Sequence, residues 1–258
     1  MTDKNAPIGV VDSGVGGISV LKELIKLMPQ EKYLYFGDNK NAPYGTKTAE
    51  EVRNIMLKNT EYIISRGAKA LVIACNTATG ASVKTLRELY PEFPIIGIEP
   101  AIKPSAKYKE HSNVLVMATP LTLKQEKFHD LMDKFADEAN IVPLACPGLM
   151  ELVEAGETEG EKIDSYLKRL FEPFKNKKID SIVLGCTHYP HVKEAVLKAL
   201  GGHVMIFDGG EGTARETKRR LESLDLLRAS TDKGSVVIEC SDTNKNITEL
   251  AIKLLNKI

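Results

Sequence analysis

Short uninterrupted apolar runs, separated by longer stretches of helical periodicity, dominate this chain. The runs read as strands at Ile8–Val11, Tyr33–Phe36, Ala70–Ala74, Ile95–Ile98, Asn113–Met117, Asn140–Pro143, Ser181–Leu184, His203–Phe207 and Ser235–Cys240. Most do not alternate apolar with polar residues, as expected of parallel strands covered on both faces. Helical periodicity fills Gly17–Leu27, Ala49–Arg66, Ser82–Tyr90, Thr122–Phe135, Glu161–Phe174, His191–Leu200, Ala214–Leu221 and Thr248–Ile258. Pro29, Gly67, Pro91 and Gly201-Gly202 punctuate their ends. This alternation predicts an α/β fold with mostly parallel sheets flanked by helices.

Two segments stand out against that pattern. Ile73-Ala74-Cys75-Asn76-Thr77-Ala78-Thr79 and Leu184-Gly185-Cys186-Thr187-His188-Tyr189-Pro190 each place a cysteine where a strand ends and a helix is expected to begin. The carboxyl edge of a parallel sheet is where ligands bind. A helix amino terminus favours a thiolate, so both thiols are expected to have lowered pKa values. A separation of roughly a hundred residues is far longer than a solenoid repeat. It predicts two similar α/β domains related by a pseudo-twofold axis, with a cleft between them. The first is expected at 1–99 plus 208–258, on the Cys75 side, and the second at 100–207, on the Cys186 side.

Composition narrows the function. The chain has 258 residues, long enough for a real core, and Lys+Arg and Asp+Glu balance at 35 each. No global field attracts nucleic acid, and the absence of tryptophan argues against a base-stacking surface. No apolar run is long enough for a membrane span, and Met1 to Pro7 lacks a signal-peptide core. The expected location is the cytoplasm, where the four cysteines are free thiols. They form no CxxC or CxxH, so no metal site is expected.

The remaining motifs extend the candidate site. Asp12-Ser13-Gly14-Val15-Gly16-Gly17 follows the first strand; its glycines allow close backbone approach, and its amides suit an anion. It is neither a dinucleotide fingerprint nor a P-loop. Gly37-Asp38 and Pro43-Tyr44-Gly45 open on the same edge as Cys75. Spacing alone does not choose among Glu151, Glu154 and Glu157. Cys146 and Cys240 lack the helix-start context and read as structural, and Lys175 to Lys178 as a solvated turn. Two thiols facing one carbon can remove a proton from one face and return one to the other, inverting a stereocentre. The carbanion needs N–H and hydroxyl donors on the α-carboxylate, a role that suits Ser13, Asn76 and the threonines. One sulfur must be thiolate and the other thiol, exchanging states at each turnover.

Four ordered motifs, Val11 to Gly17, Gly37-Asp38 with Pro43-Tyr44-Gly45, Ala74 to Thr79 and Leu184 to Pro190, closely resemble the cofactor-independent glutamate racemases. The resemblance spans nearly the whole chain. It implies racemisation of L- and D-glutamate, D-glutamate supply for peptidoglycan and no cofactor; a homodimer is the expected assembly. It also implies that Cys75 acts on the D-enantiomer with help from Asp12, and Cys186 on the L-enantiomer with help from Glu154 and His188. The family's Cys-Pro…Leu-Val-Glu pattern, matched by Cys146-Pro147 and Leu152-Val153-Glu154, is what selects Glu154. Substrate contacts carry over to Asp12, Ser13, Tyr44, Gly45, Asn76, Thr77, Thr187 and His188, with Thr119 and Thr122 behind them.

The chain departs from the pattern at Asn39-Lys40-Asn41, where the family has Thr-Ala-Arg, and at Gln125, Glu151 and Asp208-Gly209-Gly210. With its first strand at Ile8, no amino-terminal extension for an activator is expected. The rival readings are a racemase of another acidic substrate such as aspartate and a Cys–His thiol hydrolase using Cys186. His188 argues against aspartate, since aspartate racemases resemble Gly-Cys-Thr-Glu there. A matched second cysteine has no purpose in a hydrolase. A partner-binding module with incidental thiols would show no ligand protection of either sulfur.

Overall fold

A computed structural model describes residues 3–242 and 245–257. Among them, strands β1 (Ile8–Asp12), β2 (Tyr33–Gly37), β3 (Ala70–Ile73), β4 (Ile95–Gly97) and β9 (Val236–Cys240) form one sheet. Strands β5 (Ser112–Ala118), β6 (Ala139–Ala145), β7 (Ser181–Leu184) and β8 (Met205–Asp208) form a second. Every pairing is parallel, and the orders are β4-β3-β1-β2-β9 and β6-β5-β7-β8. The fold is therefore α/β with two parallel sheets flanked by helices.

The apolar runs hide a period of two that the packing reveals. From β1, Ile8 and Val10 pack with Ile18, Leu21, Leu24, Leu221 and Leu254 on one face, while Val11 packs with Val52, Met56, Ile63 and Leu86 on the other. In the second sheet Leu115, Met117 and Ile182 meet Ile163, Leu167 and Val196, while Val114, Val116 and Val183 meet Ile102, Phe128 and Phe135. Both faces are covered, which is why these strands read as continuous apolar stretches.

Both sheets reverse direction at the strand that matters. The chain passes from β1 out to β2 and then returns to β3 on the other side of β1; β5, β6 and β7 repeat that order. Each reversal is a topological switch point, where the loops beyond the strand ends part and leave a crevice. Asp12 and Cys75 flank the first one, Thr119 and Cys186 the second.

Several element boundaries differ from the sequence expectation. The helix after β3 begins at Asn76, not Ser82, because Cys75 caps it. Its first turn is polar yet buried at Asn76, Thr77 and Thr79, which breaks the apolar period. The expected helix Thr122–Phe135 is two helices, Pro120–Lys124 and Glu126–Asp133, interrupted by extended backbone at Gln125 (ψ 136°). Cys186 does not open an α-helix: Pro190 starts a 3-10 turn at Tyr189–Val192, and the helix Lys193–Ala199 follows it. Pro173 likewise turns the end of Glu161–Phe174 into a 3-10 segment. Helices Ile102–Ala106 and Leu149–Glu154 were too short to show a period. The last helix starts at Lys245, before the expected Thr248; its expected end, Ile258, lies outside the described residues.

Candidate active site

The loop after β1 is built around close approaches. A Cβ on Gly14 would stand 1.9 Å from Glu154 Oε1, and one on Gly16 would stand 2.4 Å from His188 Nδ1. The glycines thus admit two side chains from the second sheet's loops. The Val15 N–H donates to Glu154 Oε1 at 2.7 Å. The anion that this loop binds within the chain is accordingly a protein carboxylate. Asp12 is fully buried; its Oδ2 accepts the Gly14 N–H at 3.0 Å and its Oδ1 accepts the Thr187 hydroxyl at 3.0 Å. Burial raises its pKa, and the His188 charge only partly offsets that.

Cys75 caps its helix: Sγ accepts the Ala78 N–H at 3.5 Å and lies 3.7 Å from Ser13 Oγ. The expected lowering of its pKa is not what the structure produces. Burial, reinforced by the Asp12 carboxylate, pushes the thiol up to about 12, outweighing the helix amides. At neutral pH Cys75 is a thiol.

Cys186 has a different surrounding. Its Sγ lies 3.6 Å from His188 Nδ1, and His188 Nε2 lies 2.7 Å from Glu154 Oε1. Burial pulls the imidazole pKa down, but the contacts with Cys186 and Glu154 win and hold it well above the ordinary value. Burial works against ionised Glu154 too, yet His188, the Val15 N–H and Asn39 outweigh it and lower its pKa. With partners on both ring nitrogens, His188 sits as an imidazolium between a carboxylate and a sulfur.

The two thiols share one cavity of about 60 Å³, lined also by Ser13, Tyr44, Gly45, Asn76, Thr77, Thr119 and His188. Asp12, Glu154 and Thr187 stand behind this wall, Asp12 bonded to Thr187 and Glu154 to His188. The Tyr44 phenol is spent on Asp38, donating at 2.6 Å to its Oδ2. Thr77 Oγ1 lies 3.0 Å from Thr119 Oγ1 and 2.9 Å from Thr122 Oγ1, closing a ring of hydroxyls across the two sheets. Asn76 Oδ1 is buried with no hydrogen-bond partner. Cys146 reaches the cavity wall, but its thiol donates to the Leu144 carbonyl at 3.4 Å and burial pushes its pKa up.

Sequence reasoning missed three supporting side chains. Asn39 Nδ2 donates to Glu154 Oε2 at 2.9 Å, Ser19 Oγ donates to the Thr187 carbonyl at 2.9 Å, and Gln125 Nε2 donates to the Thr77 carbonyl at 2.9 Å. The available signal for Asn39 was its place just past the end of β2. Among the described residues no group of three or more His, Cys, Asp or Glu side chains is arranged to hold a metal ion. No helix among them is long and apolar enough to cross a membrane.

Two parallel sheets whose switch points bring two thiols to one cavity define a class: α/β enzymes of the racemase type. The chain belongs to the Asp/Glu/hydantoin racemase family, whose sequence profile matches residues 8–217. It is 51% identical over 252 residues to a glutamate racemase of Clostridium perfringens strain 13, covering 98% of this chain and 97% of that relative. Its fold is similar to that of glutamate racemase from Francisella tularensis in complex with D-glutamate (TM-score 0.85, 27% identity, 98% and 95% of the two chains). It is also similar to that of the Escherichia coli glutamate racemase in complex with L-glutamate and the activator UDP-MurNAc-ala (TM-score 0.85, 33% identity, 97% and 94%).

Proposed function

We propose that this chain interconverts L- and D-glutamate by direct thiol chemistry without a cofactor, and so supplies D-glutamate for peptidoglycan. The observation that carries the reading is the convergence of Cys75 and Cys186 on one cavity with unequal surroundings. The relatives with D- and L-glutamate bound support the substrate.

The resting state follows from those surroundings. Cys75 is the thiol, and the two-base scheme then calls on Cys186, beside His188, as the base that meets L-glutamate. With L-glutamate, Cys186 takes the α-proton and Cys75 delivers its proton to the opposite face. This leaves Cys75 as thiolate and Cys186 as thiol, the state that accepts D-glutamate. Asp12, with its raised pKa, is suited to return a proton toward Cys75, and His188, held by Glu154, to relay one away from Cys186. The α-carboxylate is held by Ser13, the Asn76 amide and the hydroxyls of Thr77 and Thr119. Those preorganised donors stabilise the carbanionic transition state. Thr187 orients Asp12 and the Tyr44 phenol braces the loop that Gly45 ends.

A cavity of about 60 Å³ has room for a few waters only. Substrate entry therefore requires the lobes to part, 1–99 with 208–258 against 100–207, about a pseudo-twofold relation. The test is proton NMR of L-glutamate in heavy water with chiral analysis and no added cofactor. Deuterium at Cα with accumulating D-glutamate, lost in Cys75→Ser and in Cys186→Ser, supports the reading. Turnover of aspartate in its place would leave the thiol pair standing and remove the substrate assignment.

A further inference from the structure

We propose that Asn39 is a positioning residue for the Cys186 half of the site, acting through Glu154 on the imidazole beside the thiol. The inference rests on the two-thiol reading above. Asn39 opens the short 3-10 turn Asn39–Asn41 beyond β2, on the opposite sheet from Glu154 and His188. Glu154 Oε1 serves both the Val15 N–H and His188 Nε2, while Oε2 accepts from Asn39 Nδ2. A carboxylate's last torsion is broad. Val15 alone therefore leaves the group free to swing off the imidazole, whereas a second donor on the other oxygen fixes its plane.

The orientation of the amide points the same way. Asn39 Oδ1 is buried without a partner. A buried unsatisfied acceptor is costly, and such atoms call for an explanation. Flipping the amide would offer Oδ1 a new environment but would set an oxygen against Glu154 Oε2. The repulsion with an ionised carboxylate outweighs the orphaned acceptor, so the donor stays on Glu154. Three other titratable groups also face Glu154, namely Asp12 at the end of β1, Tyr35 on β2 and Cys240 at the end of β9, and the His191 ring, its pKa lowered by burial, faces His188. The three acids gain negative charge on deprotonation and strengthen an imidazolium, His191 is neutral near neutral pH, and Asn39 acts only by its hydrogen bond. Removing that donor lets Glu154 hold its charge less firmly, and His188 then releases its proton at lower pH.

The experiment is a pH titration of the full chain labelled with 15N-histidine, followed by NMR. The chain has five histidines, so His188→Gln assigns the resonance. Asn39→Leu removes the donor at similar size, and Asn39→Gln keeps an amide donor. A fall of about one pH unit in the His188 transition in Asn39→Leu, with a smaller or no fall in Asn39→Gln, supports the proposal. No fall in Asn39→Leu, or an equal fall in both variants as loosened packing would give, overturns it. The titration reads the imidazole whether or not glutamate is turned over, so failure of the racemase reading is a separate result.

Discussion

Replacing Glu154 by glutamine keeps the size of the side chain and removes its charge. Val15 N–H, His188 and the Asn39 amide converge on the two carboxylate oxygens at 2.7, 2.7 and 2.9 Å. All three are donors, and glutamine offers one acceptor oxygen. At least one donor then faces an NH2 group. A hydrogen bond to a charged partner contributes about 2 kcal/mol, more than a neutral one. At about 1.4 kcal/mol per tenfold, that loss lowers the His188 transition by about 1.5 pH units. The basic limb of the pH–rate profile should shift down by the same amount. Above the original limb kcat/KM falls roughly thirtyfold, and below the shifted one the two profiles converge. The enantiomers have equal free energy, so kcat/KM with L- and D-glutamate must fall together. Initial rates from each enantiomer, followed by circular dichroism across the neutral and alkaline range, measure both quantities. An unmoved basic limb would refute the Glu154–His188–Cys186 relay, whatever happened to the absolute rate.

Gly16→Ala sets a methyl 2.4 Å from His188 Nδ1; overpacking of this kind costs about 1–3 kcal/mol, and activity should fall while far-ultraviolet circular dichroism stays native. With Cys75 pushed up to about 12, peptide mapping after iodoacetamide at neutral pH should find it resistant; rapid modification of Cys75 would contradict its assignment as the resting thiol. His188 has a folded pKa above its unfolded value near 6.5. Its contribution to stability is fully present below that pH and lost as pH rises through the folded value, so urea midpoints should decline on the alkaline side. The Glu31–Lys69 ion pair, 2.6 Å apart with both side chains fully buried, lies at the amino ends of the strands, away from the cavity. Glu31→Gln should cost about 3–5 kcal/mol in urea unfolding and leave kcat unchanged under native conditions.

What could be read directly was whatever is local along the chain. Parallel strands buried on both faces announce themselves as apolar runs, and β7 matched its expected bounds, Ser181–Leu184. The two cysteines were legible for the same reason: each is tied to the end of its own strand. Short or interrupted elements were not legible. Leu149–Glu154 is too brief to show a period, and the break at Gln125 depends on its bond to Thr77, a residue on another sheet's helix.

The sequence by itself determined the α/β class and the placing of two cysteines at equivalent strand ends, because period and motif are properties of neighbouring residues. Only the tertiary structure decided what surrounds each sulfur. Val15 and Asn39 reach Glu154 from 139 and 115 residues away, and Thr187 reaches Asp12 from 175. Those contacts make an imidazolium beside Cys186, while burial and a carboxylate raise Cys75 to about 12. Sequence context placed both sulfurs at equivalent strand ends and so predicted equivalent thiolates. Desolvation and long-range charge are sums over everything packed nearby in space, and at Cys75 they outweigh the helix terminus.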